Sequence, residues 1–142
     1  MILDTNLLLY AVNSTSPRHG AAKEWFSAAL NGDRRIGFPL ASIWAFVRIA
    51  THPRVFDTAL TPAEAWGFID DWLDADVSWV PEPGTRHVGI LRDLMIRHEV
   101  RRDLVSDAVL AAIAIEHGVP VVSADSDFAR FPEVGWINPF AN

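Results

Sequence analysis

Short apolar runs alternate along this chain with longer stretches whose apolar positions recur every three or four residues. That alternation predicts strands interleaved with amphipathic helices. Met1-Ile-Leu-Asp4 reads as a short buried strand ending in a carboxylate. Ser16-Pro17 offers an N-cap followed by a proline at the first helical position. Ala22, Trp25, Phe26, Ala29 and Leu30 then share one helix face, with Gly32 as the stop. Ile36 to Phe38 is a second strand, followed by a helix from Ala41 to about Thr51 that halts before Pro53. Thr61-Pro-Ala-Glu64 combines a capping box with an N1 proline. It opens a helix expected to bury Ala65, Trp66, Ile69, Trp72 and Leu73.

Val77 to Val80 is a third strand, ended by Pro81, and Val88, Leu91, Met95 and His98 mark the next helix. Ser106 to His117 is an alanine-rich helix closed by Gly118; Val119 to Ser123 and Gly135 to Asn138 complete the strands. Strand–helix alternation implies an α/β fold, with parallel strands joined by crossovers and helices on both faces of the sheet. The tryptophans, Trp44 and Trp66 included, and the phenylalanines are expected in the core.

The chain has 142 residues, half of them hydrophobic, which suits one domain spanning residues 1–142. It has no cysteine, which excludes a disulfide scaffold and thiolate metal sites. No stretch reaches the ~20 apolar residues of a membrane span. The N-terminus is a poor signal peptide, being broken by Asp4 and Asn6 with no basic residue before it. The expectation is a soluble, cytoplasmic protein. The net charge of −6 argues against non-specific nucleic-acid binding, yet eleven of the twelve basic residues are arginine, the better bidentate donor to phosphate.

Ligands of open parallel sheets bind at the carboxyl ends of the strands. Asp4 ends the first strand, Asp125 follows the Val119–Ser123 strand, and Asp107 opens the helix before it. Three carboxylates distant in sequence thus converge on one rim. Each also has a structural role open to it: Asp4 as a cap, Asp107 as a helix N-terminal carboxylate, Asp125 and Asp127 as Asx-turn formers. Clustered like charges repel, and a cation relieves them; an all-oxygen ligand set suits Mg²⁺ or Mn²⁺ rather than zinc. His19, His52, His87, His98 and His117 form no zinc pattern, and the Gly-rich nucleotide loops and the Gly-x-Ser-x-Gly elbow are missing.

The stretches Met1-Ile-Leu-Asp-Thr-Asn6, Asp107-Ala-Val-Leu-Ala-Ala-Ile-Ala-Ile-Glu-His-Gly118 and Ser123-Ala-Asp-Ser-Asp-Phe128 resemble the signature segments of PIN-domain ribonucleases. The resemblance is strongest to the VapC toxins of bacterial toxin–antitoxin pairs. Trp44 to Phe56 and Trp136 to Phe140 extend it over nearly the whole chain. It implies a PIN-like three-layer fold with a short central parallel sheet, a Mg²⁺- or Mn²⁺-dependent endoribonuclease, an RNA substrate, a homodimer and a cognate VapB-like antitoxin. Carried over by position, Asp4 and Asp107 are the main metal ligands and Asp125 completes the catalytic cluster. Asp127, Asn6 and Ser123 support it, the last two by orienting the carboxylates or an attacking water.

One position departs. The family usually has a glutamate early in the helix after the second strand, where this chain has Ala45, and no other acidic residue lies between Asp33 and Asp57. Ala45 leaves room for an alternative, a catalytically weak PIN-like module that binds RNA or protein without cutting. A receiver-like phosphoacceptor domain is disfavoured, because its lysine at a late strand end is missing and the only lysine is Lys23.

Overall fold

The computed structural model describes residues 1–56 and 58–141. Five two-residue strands form one sheet: β1 (Ile2–Leu3), β2 (Ile36–Gly37), β3 (Ser78–Trp79), β4 (Val121–Val122) and β5 (Trp136–Ile137). All pairings are parallel, in the order β3-β2-β1-β4-β5. The helices are α1 (Thr5–Val12), α2 (His19–Leu30), α3 (Leu40–Ala50), α4 (Pro62–Leu73), α5 (His87–Arg97) and α6 (Leu104–His117), and a 3₁₀ turn covers Ser126–Arg130.

Successive strand residues point to opposite faces, and they divide the core in two. Ile2 and Val121 join Leu94, Leu110, Ile113, Phe128 and Phe131 on the face covered by α5 and α6. Leu3 and Val122 join Leu7, Phe26, Phe46, Ile69 and Trp72 on the face covered by α1 to α4. Trp72 anchors the second layer, with the rings of Phe26, Phe38 and Phe46 at 5.5, 6.1 and 5.2 Å. This is the expected α/β arrangement of helices on both faces. Gly37 is required by close approach: a Cβ there would meet Ile2 Cγ2 at 2.9 Å and the Trp79 indole at 3.1 Å. Gly118, with φ of 65°, closes α6 in the left-handed conformation.

The capping box at Thr61 is formed in full, the Thr61 hydroxyl accepting from the Glu64 N–H and the Glu64 carboxylate from the Thr61 N–H. Other expectations need correction. Ser16-Pro17 does not start α2: the Ser16 hydroxyl accepts from the Arg18 N–H in a turn, and the helix begins at His19. The alanine-rich helix begins at Leu104, two residues early. A further helix, α1, springs directly from Asp4. Trp44, Trp66 and Val88 are exposed, at 65%, 46% and 76%, so none belongs to the core. On α5 the inward position is His87, one residue before Val88.

Candidate functional site

The carboxyl ends of β1 and β4 open into a cleft of about 280 Å³ lined by residues of α1, α3, α6 and the loop after β4. Asp4 follows β1, with its N–H still bonded to the Val122 carbonyl at 3.0 Å, so the sheet itself places its carboxylate. Asp107 reaches the cleft from the first turn of α6, and Asp125 from the N-cap of the 3₁₀ turn. The three aspartates picked out along the sequence therefore line one cavity. Asp127 is exposed and does not line the cleft, although its charge acts on Asp107.

A closed hydrogen-bond triangle holds Asp4. The Ser123 hydroxyl donates to Asp4 Oδ2 at 2.6 Å, and Asn6 Nδ2 donates both to Asp4 Oδ2 at 2.8 Å and to Ser123 Oγ at 2.9 Å. Ser123 Oγ also accepts from the Asp125 N–H at 2.9 Å, and Asn6 Oδ1 from the Ala124 N–H at 3.4 Å. Ser123 is fully buried and Asp4 nearly so. Asn6 and Ser123 are thus used in orienting Asp4 and the loop that carries Asp125. The Asx turn read from the sequence is present as well, with Asp125 Oδ1 accepting from the Asp127 N–H at 2.9 Å.

Burial raises the Asp4 pKa, opposed by the Ser123 hydrogen bond and reinforced by the nearby charge of Asp125. Asp107 is pushed up to about 7, first by burial and then by the charges of Asp4, Asp125, Asp127 and Asp103. Among the described residues, no three Asp, Glu or His side chains stand close enough together to share one ion. That arrangement still fits Mg²⁺, which keeps several waters and commonly takes one or two carboxylates plus substrate phosphate oxygens. The all-oxygen donors would suit a hard cation held by one or two of Asp4, Asp107 and Asp125, with waters completing its shell.

The opposite wall comes from α3. Ser42 fixes that helix on β1 by donating from its buried hydroxyl to the Leu3 carbonyl at 2.7 Å. Ala41, Ala45, Arg48 and Ile49 then face the cleft. Ala45 therefore stands where an added carboxylate would point at the acidic cluster. Sequence reasoning did not single out Thr5, Ser106 or Arg48 as cleft residues, nor Asp103 as a charge acting on Asp107. The i, i+4, i+7 spacing of Ala41, Ala45 and Arg48 was the available signal, but the face of α3 that meets the cleft is set by Ser42.

A model of the PIN domain matches residues 1–134. Ribonuclease VapC37 of Mycobacterium tuberculosis is 42% identical over 138 residues, covering 97% of this chain and 96% of that protein. Among solved structures, VapBC2 from Rickettsia felis, bound to a DNA fragment from its promoter, superposes with a TM-score of 0.73 at 14% identity over 96% of each chain. Mycobacterium tuberculosis VapC20, a Sarcin-Ricin loop cleaving toxin, gives a TM-score of 0.68 at 18% identity, covering 90% of this chain and 92% of that one. At such identities the solved structures speak to the fold alone.

Proposed function

The chain belongs to the PIN domain family, with VapC ribonucleases as its relatives, and from that premise we propose that it is a divalent-cation-dependent endoribonuclease acting as a toxin, neutralised by a cognate VapB-like antitoxin. The observation that carries this reading is the convergence of Asp4, Asp107 and Asp125 on one cleft, with Asp107 raised to about 7. Bound there, Mg²⁺ or Mn²⁺ would supply a lowered pKa for an attacking water and a counter-charge for the scissile phosphate. Asp4 presents an oxygen whose direction is fixed by Ser123 and Asn6, so ion affinity depends on that triangle. Leu9, Ala41, Ala45, Ile49 and Leu110 form a drier wall, which strengthens electrostatic interactions inside the cleft.

The exposed Phe68 of α4 lines a second hollow with Leu60, Gly67, Glu64 and Asp71. An apolar floor with acidic sides suits an amphipathic, basic antitoxin helix, and an antitoxin arginine reaching the cleft carboxylates would silence them. The family resemblance extends the proposal to a homodimer. A second reading, a module that binds RNA without efficient cutting, is favoured by Ala45 standing in the cleft wall. Incubating purified protein with labelled single-stranded RNA tests both. Cleavage with Mg²⁺ or Mn²⁺ that stops with EDTA and is lost in Asp107→Asn supports the nuclease; binding without cleavage supports the weaker module.

A further inference from the structure

Phosphate is repelled by a cleft lined with carboxylates, so a polyanionic substrate needs a cation near its entrance as well as within it. Among the described residues lining the cleft, one is basic: Arg48 of α3. It is exposed, and it forms no ion pair with a described carboxylate. Arg18 lies over Tyr10 and Phe140, Arg35 over Trp79, Arg86 on Glu116, Arg92 on Asp93 and Arg97 on Glu133; Arg34, Arg54, Arg101, Arg102 and Arg130 pair with no described carboxylate either, but none of them lines the cleft.

Trp44 shares the stripe. It lies three residues after Ala41 and four before Arg48, both of which line the cleft, and positions so spaced are neighbours on a helix surface. At 65% exposure it is the most exposed aromatic of the described residues. Trp44 is not itself part of the cleft lining, but its helix-surface neighbours Ala41 and Arg48 are, so it stands beside the cleft on α3. An exposed indole beside a guanidinium that pairs with no described carboxylate matches the two contacts a single-stranded nucleic acid offers at each step, a base face and a phosphate.

Resting on the ribonuclease reading above, we propose that the outer stripe of α3 is the track on which single-stranded RNA enters the cleft. Arg48 holds a backbone phosphate next to the carboxylates, and Trp44 stacks on an adjacent base. Both act as positioning residues, setting which phosphate lies against Asp4 and Asp107. Arg48 offsets part of the repulsion that the −6 net charge and the acidic cluster impose.

The test is equilibrium binding of a fluorescent single-stranded RNA oligonucleotide, with Asp107→Asn as the uncutting parent and EDTA present, over a series of NaCl concentrations. Arg48→Gln is expected to weaken binding about tenfold at low salt and to make the slope of log K against log salt shallower by about 0.7, the value of one single-strand phosphate contact. Arg48→Lys keeps the charge and should keep the slope. Trp44→Ala is expected to weaken binding about tenfold with the slope unchanged, and Trp44→Phe to restore most of the loss. Arg92→Gln on α5 should change neither quantity. Both tested side chains are exposed, so melting temperatures should stay near the parent's.

An Arg48→Gln variant with unaltered affinity and slope overturns the proposal while leaving the nuclease reading intact, provided that wild type cuts RNA. A parent that binds no single-stranded RNA, together with a wild type that cuts none, overturns both. Trp44→Ala that loses affinity for an antitoxin but not for RNA overturns the stacking half.

Discussion

Replacing Asp107 by asparagine removes one charge from the crowded cleft while keeping the side-chain shape. Its carboxyl is pushed up to about 7 from the ordinary 3.8, which corresponds to at most ~4 kcal/mol at about 1.4 kcal/mol per tenfold change in proton affinity. Asp107 is only half-buried, and solvent screening reduces that ceiling to about 1–2 kcal/mol. The sign follows from proton binding. Between the unfolded and folded pKa values the folded chain holds a proton that the unfolded chain has lost, so stability declines as pH rises from about 4 to about 7 and then levels. Asp4, also raised, adds in the same direction. Thermal melts in EDTA should therefore show Asp107→Asn matching wild type at pH 4 and exceeding it at pH 8 by about 3–6 °C. Mg²⁺ at pH 8 should raise the wild-type melting temperature more than that of the variant. A variant that melts at or below wild type at pH 8, or that gains equally at both pH values, would refute the repulsion argument.

Ser123→Ala removes the hydroxyl that donates to Asp4 and orphans the Asp125 N–H, leaving Asp4 held by Asn6 alone among the three side chains; a loss of about 1–3 kcal/mol by denaturant titration is expected, with cleavage reduced as Asp4 loses part of its orientation. Ala45→Glu should lower the melting temperature in EDTA, raise Mn²⁺ affinity by calorimetry and speed RNA cleavage, because Ala45 lines the cleft. A variant that melts lower with and without Mn²⁺ and cuts no faster would show that this wall only packs. Thr61→Ala breaks the capping box of α4, away from the cleft; it should cost about 1 kcal/mol of stability while the cleavage rate stays unchanged.

The sheet was legible because each strand is an apolar run ended by a polar residue or proline, and Asp4 and Ser123 stand at such ends. The acidic cleft followed from that placement. Helix α1 was not legible. Thr5–Val12 is apolar over most of its length and continues the run of β1, so periodicity gives no break between strand and helix. Asp4 is where the chain turns from extended to helical, with ψ of 152° at the cap. Trp44, Trp66 and Val88 were misplaced because a hydrophobic residue on a helix reveals a preference for cover, whereas cover depends on which helices pack beside it. Arg48 could not be assigned to the cleft for a related reason. The Ser42–Leu3 hydrogen bond that turns α3 joins residues 39 apart, and spacing within α3 does not encode it. The departure at Ala45 was visible from the resemblance alone, and its position in the cleft wall required the fold.

Anomalous scattering from crystals soaked in Mn²⁺ at pH 7.5, above the Asp107 pKa of about 7, tests the central claim most directly. A single-atom or paired peak among the carboxylates of Asp4, Asp107 and Asp125, lost in Asp4→Asn, is the result expected. Full Mn²⁺ occupancy elsewhere on the chain, with none in that cleft, would contradict it.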